Sequence, residues 1–156
     1  MKLSNVQILI LRLVLAGLFL HLGISKIDDG WLQSPEKLLG SLNNFQQKAT
    51  GVQLAYLDHI AIPYADLWSK LMAIGETAIG VSLLLGLLVR LSSIVGIFMV
   101  FNFHAANGTL YSLNFFSSPW ATLIIASFLI LFLAQGGRWH GFDQVLAKKN
   151  TRSIFW

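Results

Sequence analysis

Residues 75–90, GETAIGVSLLLGLLVR, form an apolar helical run with one carboxylate, Glu76, set well inside it and one cation, Arg90, closing it. An ionisable group at membrane depth costs about 2.5 kcal/mol or more unless a partner or water compensates it. The rest of the chain must therefore supply a partner for Glu76.

Composition places this run in a membrane. Of 156 residues, 55% are hydrophobic and 12% charged, and the mean hydropathy is +0.66, outside the balance of an ordinary soluble domain. The expectation is an all-α integral membrane protein whose first partner is the lipid bilayer. At roughly 20 residues per span, one domain over residues 1–156 holds a four-helix bundle and one sizeable loop, with no room for a large soluble domain. The net charge is +4, but the cations lie scattered near span ends and form no basic stripe, so no nucleic-acid partner is expected. The absence of cysteine excludes disulfides, thiol relays and Cys-ligated iron–sulfur clusters. Any redox role has to use a bound carrier.

Outward from the opening run, the spans read as residues 6–24, 66–89, 91–106 and 119–135. The first is interrupted by Arg12 and His21, with Lys26 just beyond it. It lacks a small-residue cleavage site and reads as a retained span, not a secretory signal. Residues 27–65 form the one large outer loop. There Ser34-Pro35-Glu36 signals a helix start, with Ser as cap and Pro in the first turn. Leu38, Leu39, Leu42 and Phe45 share a face. This predicts a short amphipathic helix, ending near Gly51, that lies on the membrane or caps the bundle. Arg90, Ser92 and Ser93 read as a tight turn between spans two and three, and Gly75, Gly80 and Gly86 as a close-packing seam. Gly136-Gly137 stops span four before a basic tail over residues 136–156.

Lys2, Arg90, Arg138, Lys148, Lys149 and Arg152 fall on one side of such a bundle, and Lys26, Lys37, Lys48 and Lys70 on the other. The bias places both termini in the cytoplasm of a bacterial or archaeal-type inner membrane. Tyr56, Tyr64, Trp68, Tyr111 and Trp120 would form the outer aromatic belt, and Trp139 the inner one.

Depth along each helix follows from a 1.5 Å rise per residue: His21, Glu76 and His104 all fall roughly 20 Å from the inner ends of their spans. Asn102 lies roughly 3 Å from that layer, and Arg12 at roughly 9 Å depth. Three ionisable groups on three spans thus share a layer, which suggests a polar pocket between them. A Glu–His pair can share a proton and pass protons to a redox carrier, a combination suited to quinone chemistry. Plainer readings stand beside it: a membrane His or Asn is often interhelical glue, and Arg12 an anchor near the inner face. Axial haem ligation by His21 and His104 is disfavoured by the carboxylate in the same layer, and no metal cluster is expected.

Arg12, the HLGISK run of residues 21–26, Glu76 with Gly80, Gly86 and Arg90, His104 with Asn107-Gly108, and Gly137-Arg138 before Phe142-Asp143 together resemble the DoxX family of four-helix membrane proteins. The resemblance covers nearly the whole chain. It implies membrane redox chemistry, being similar to the DoxD-type membrane subunit of thiosulfate:quinone oxidoreductase, with other protein subunits as partners. By position, Arg12, His21, Lys26, Glu76 and His104 match the family's polar residues. The longer stretch over residues 47–59 departs from the compact pattern and offers a place for a further partner.

The resulting expectation is a quinone-interacting subunit of an oxidoreductase. Glu76 and His104 would be the catalytic, proton-handling residues, with Arg12, His21, Lys26 and Asn102 on the quinone or an anionic reductant. A second reading is a non-catalytic accessory subunit that packs against a larger respiratory or photosynthetic complex, with the apolar residues 154–156 among its contacts. A third is a small transporter with Glu76 as the proton-coupling group.

Overall fold

The computed structural model describes residues 5–112, 114–138 and 140–149. Lys2, Trp139, Arg152 and residues 154–156, which the sequence reading uses as anchors or contacts, lie outside the described residues. Every regular element among those described is helical: α1 (Asn5–Asp28), α2 (Glu36–Gln46), α3 (Gly51–Tyr56), α4 (Ala65–Leu85), α5 (Val89–Ala106), α6 (Asn114–Ser117), α7 (Pro119–Leu133) and α8 (Asp143–Lys149). Helices α1, α4 and α5 are long and apolar enough to cross a membrane. Helix α7 is as apolar but has 15 residues, a length of roughly 22 Å against a hydrocarbon core of about 30 Å.

Small residues set the packing. Helices α1 and α4 run antiparallel, with Gly23 against the backbone of Thr77 and Gly80 against Leu20, where a Cβ would come within 2.7 Å of the Leu20 nitrogen. Without side chains at these points the two helices meet at backbone distance, the closest packing available in a medium as apolar as the helices themselves. Of the expected glycine seam only Gly80 sits in this contact. Gly75 instead faces Met99 of α5. Gly96 of α5 leaves room for the ring of Phe128 on α7, which meets Phe19 edge-on at 5.2 Å between centroids. Phe128 then joins Leu15, Phe19, Leu83, Val89 and Leu131 in the bundle core.

The turn between α4 and α5 differs from expectation. It lies at residues 86–88, where Gly86 closes α4 in the left-handed conformation (φ 65°) that suits glycine at a helix end. Arg90, Ser92 and Ser93 are already helical. Ser93 donates to the Val89 carbonyl at 2.8 Å, and Arg90 donates through Nε to the Phe132 carbonyl at 3.1 Å with its guanidinium 4.6 Å over the Phe132 ring. The reason is the C-terminal segment, which supplies a cap that no local pattern announces, described below.

The large loop folds over the far end of the bundle. Ser34 Oγ accepts the Glu36 amide at 3.2 Å, with Pro35 rather than Ser34 in the cap position. Helix α2 stops at Gln46 instead of near Gly51, and Gly51 (φ 55°) begins α3. Leu38 and Leu42 of α2 are buried with Leu57, Ala61, Ala65 and Ala106 in a second core. Gln53 donates to the Ala106 carbonyl at 3.0 Å, tying the loop to the end of α5.

Candidate functional site: an apolar cavity with three polar corners

Two groups of buried polar residues occupy opposite ends of the bundle, and they are built differently. At the end holding the start of α1, Arg12 is 1% exposed. It donates through Nη1 to the Gly136 carbonyl and through Nη2 to the His140 carbonyl, both at 3.0 Å. Asp143, also 1% exposed, accepts the Leu88 amide at 2.7 Å and the Val89 amide at 3.1 Å. It thereby caps the otherwise unsatisfied N-terminus of α5. The Asp143 and Phe142 amides in turn donate to the carbonyls of Gly86 and Leu85. Burial pushes the Asp143 carboxyl above the usual aspartate range, opposed by the two amides and by the charges of Arg12 and Arg138. The backbone here is so close that a Cβ on Gly86 would meet both Arg12 and Gly141. This is a tightly packed lock between α1, the α4–α5 turn and the C-terminal segment.

At the other end a cavity of about 360 Å³ lies between α1, α4, α5 and α7, roofed by the loop, within the roughly 300–1,000 Å³ range of small-molecule sites. Most of its lining is apolar or aromatic, including Phe19, Trp31, Leu42, Phe45, Trp68 and Met99. Three polar corners interrupt it. In the first, Lys26 Nζ and Glu76 Oε2 form an ion pair at 2.5 Å, with the side chains 18% and 13% exposed, and the ammonium lies 5.5 Å over the Trp31 ring. The ammonium keeps donor capacity beyond the one bond to Glu76.

In the second corner, Asn102 of α5 and Tyr56 of α3 both line the cavity. Burial raises the Tyr56 phenol above the usual tyrosine range, opposed by the neighbouring Asn102 side chain. In the third, His104 Nδ1 and Thr109 Oγ1 are 2.6 Å apart. The imidazole is clamped edge-on between Phe103 and Phe115, at 5.4 and 5.3 Å.

The structure thus brings Lys26, Glu76, Asn102 and His104 to one cavity, and separates Arg12 and His21 from it. Arg12 belongs to the lock at the opposite end. His21 is exposed and absent from the lining, so the expected neighbour of Glu76 is replaced by Lys26. Helix geometry explains the difference. Phe19 and Lys26 are seven residues apart and share a face, whereas His21 points roughly 160° away from Phe19. Arg12, Phe19 and Lys26 recur every seven residues on the inward stripe, a period visible in the sequence. Tyr56, Thr109 and Asn107 carry no comparable signal. They read as belt or turn residues until the loops are folded.

The DoxX family model matches residues 7–108 of the chain, more than half of it. That stretch contains α2 to α5, all of α1 but its first two residues, and every polar corner except Thr109. It excludes the C-terminal half of the lock. No curated protein and no solved structure matches the chain.

Proposed function

The chain belongs to the DoxX family, and on that premise we propose that this multi-pass membrane protein is the quinone-interacting subunit of an oxidoreductase complex. The observation that carries the reading is the cavity: an apolar, aromatic-lined space large enough for a flat ring, with a cation–carboxylate pair and a histidine on its wall. Lining of this kind fits a quinone, whose ring is apolar and whose polar atoms are few. When bound, a quinone supplies two-electron, two-proton chemistry.

In this proposal Lys26 directs its remaining N–H donors at a carbonyl oxygen or an anionic reductant. Glu76 and His104 hold and pass protons at a carboxylate oxygen and an imidazole nitrogen. Asn102 and Tyr56 orient the ring from the opposite corner. His21 takes no part, and Arg12 acts only through the fold. Electrons come from a partner subunit, with a thiosulfate-like donor as the family's suggestion. Helix α7 completes a fourth crossing with the segments that flank it, and both termini face the cytoplasm.

The test is turnover in membranes. Glu76→Gln and His104→Ala are expected to abolish quinone reduction while leaving the protein inserted. Unchanged turnover in both contradicts the reading.

The accessory reading is favoured by one feature, Trp120, which lines the cavity and is 73% exposed, an aromatic surface suited to another subunit. Stoichiometric co-purification with a complex whose activity survives Glu76→Gln would select it.

A further inference from the structure

The hydrogen bonds around His104 determine which of its nitrogens carries the proton. The Thr109 backbone amide donates to Asn107 Oδ1 at 3.0 Å, so that atom is the acceptor end of the amide. The Thr109 hydroxyl also donates to Asn107 Oδ1, at 2.7 Å. A hydroxyl has one proton, and this bond uses it. The 2.6 Å contact between Thr109 Oγ1 and His104 Nδ1 must therefore run the other way, with Nδ1–H donating to the hydroxyl oxygen. A neutral His104 then carries no proton on Nε2, which is a pure acceptor.

The placement of the ring gives that acceptor a direction. Thr109 and Asn107 line a separate polar groove with Lys48, Gln53 and Ser112, whereas His104 lines the apolar cavity. Nδ1 is engaged by Thr109, which leaves Nε2 as the ring nitrogen available to a ligand in the cavity that His104 lines. Among the described residues Nε2 has no hydrogen-bond partner in the chain.

We propose that the Asn107–Thr109 clasp holds His104 as an acceptor toward the cavity, so that the site prefers a ligand presenting an O–H there, the hydroquinone form over the quinone. This rests on the quinone reading above and adds the redox state that the site selects. A carbonyl oxygen set against Nε2 opposes lone pair to lone pair. A hydroxyl donates to it, and Lys26 accepts either form because both have an oxygen with lone pairs. Leaving a desolvated acceptor unpaired is costly enough for a preference of about tenfold or more. Thr109 and Asn107 are positioning residues that act through His104.

The probe is menadione with its reduced form, menadiol, measured by anaerobic equilibrium dialysis against the full chain in lipid nanodiscs and corrected for empty nanodiscs. The expected result is that menadiol binds at least about tenfold more tightly, which raises the midpoint potential of the bound probe by about 30 mV per tenfold. Thr109→Val should bring the two affinities together and Thr109→Ser should restore the preference. Nitrogen-15 NMR of histidine-labelled wild-type protein checks the tautomer without any substitution and should find the proton of His104 on Nδ1. Equal affinities, tighter menadione binding or a proton on Nε2 overturns the inference while leaving quinone binding intact. Binding of neither form overturns the inference and the quinone reading together.

Discussion

The two buried polar ends of this bundle start from the same problem, a charge on an apolar helix, and solve it in opposite ways. Arg12 is answered by main-chain carbonyls of the chain's own C-terminal segment and by Asp143, with backbone packed against its guanidinium. Lys26 and Glu76 answer each other beside open space, and the ammonium still has donors to offer. A buried charge whose partners are all internal holds a fold together. One that borders a cavity with bonding capacity left can meet a ligand.

The most severe loss is expected at Arg12. Arg12→Met removes one of the two arginine charges acting on the buried Asp143 and leaves two carbonyls without that donor, and should cost about 3–5 kcal/mol, read as a fall in melting temperature in detergent. A melting temperature close to wild type would mean that the lock is not a lock.

A smaller loss, about 1–3 kcal/mol, is expected for Lys26→Met because that pair is partly exposed. The double variant Lys26→Met with Glu76→Gln should recover most of that stability, since no lone charge remains. It should not recover quinone reduction. Recovery of turnover in the double variant would make the pair a structural device like the one at Arg12.

The sequence made the chemistry of these ends legible, but not their neighbourhoods. Counting 1.5 Å per residue separates Glu76 from Arg12, and the two do fall in different groups of buried residues, because distance along an axis depends only on position along a helix. Which groups face one another also depends on register and on rotation about each axis: with Gly23 against Thr77 and Gly80 against Leu20, His21 lies about one turn from the level of Glu76 and points away from the cavity. The all-helical class and the membrane character follow directly from composition. The turn at residues 86–88 and the α5 cap do not, since the capping carboxylate, Asp143, lies more than fifty residues further along the chain. Thr109 is illegible for a local reason: it is only five residues past His104, and its role depends on the turn after α5 folding back onto that ring.

The smallest expected effect is a pH dependence of the lock. Asp143 has its carboxyl raised in the folded chain by burial, so the folded state holds its proton more tightly than the unfolded one. Its contribution to stability is then fully present below the ordinary aspartate range and is lost as pH rises through the raised value. Melting curves across the weakly acidic range should show this decline in wild type, and Asp143→Asn should remove it. A wild-type stability that rises over the same range would reverse the assignment.

Quinone extracted and quantified from natively purified protein shows whether the cavity beside Lys26 and Glu76 holds it. Wild type and Arg12→Met, once folded, are expected to carry quinone near one per chain, and Lys26→Met and Glu76→Gln to be depleted of it. Equal quinone content in all four, or none in wild type, would contradict the quinone reading.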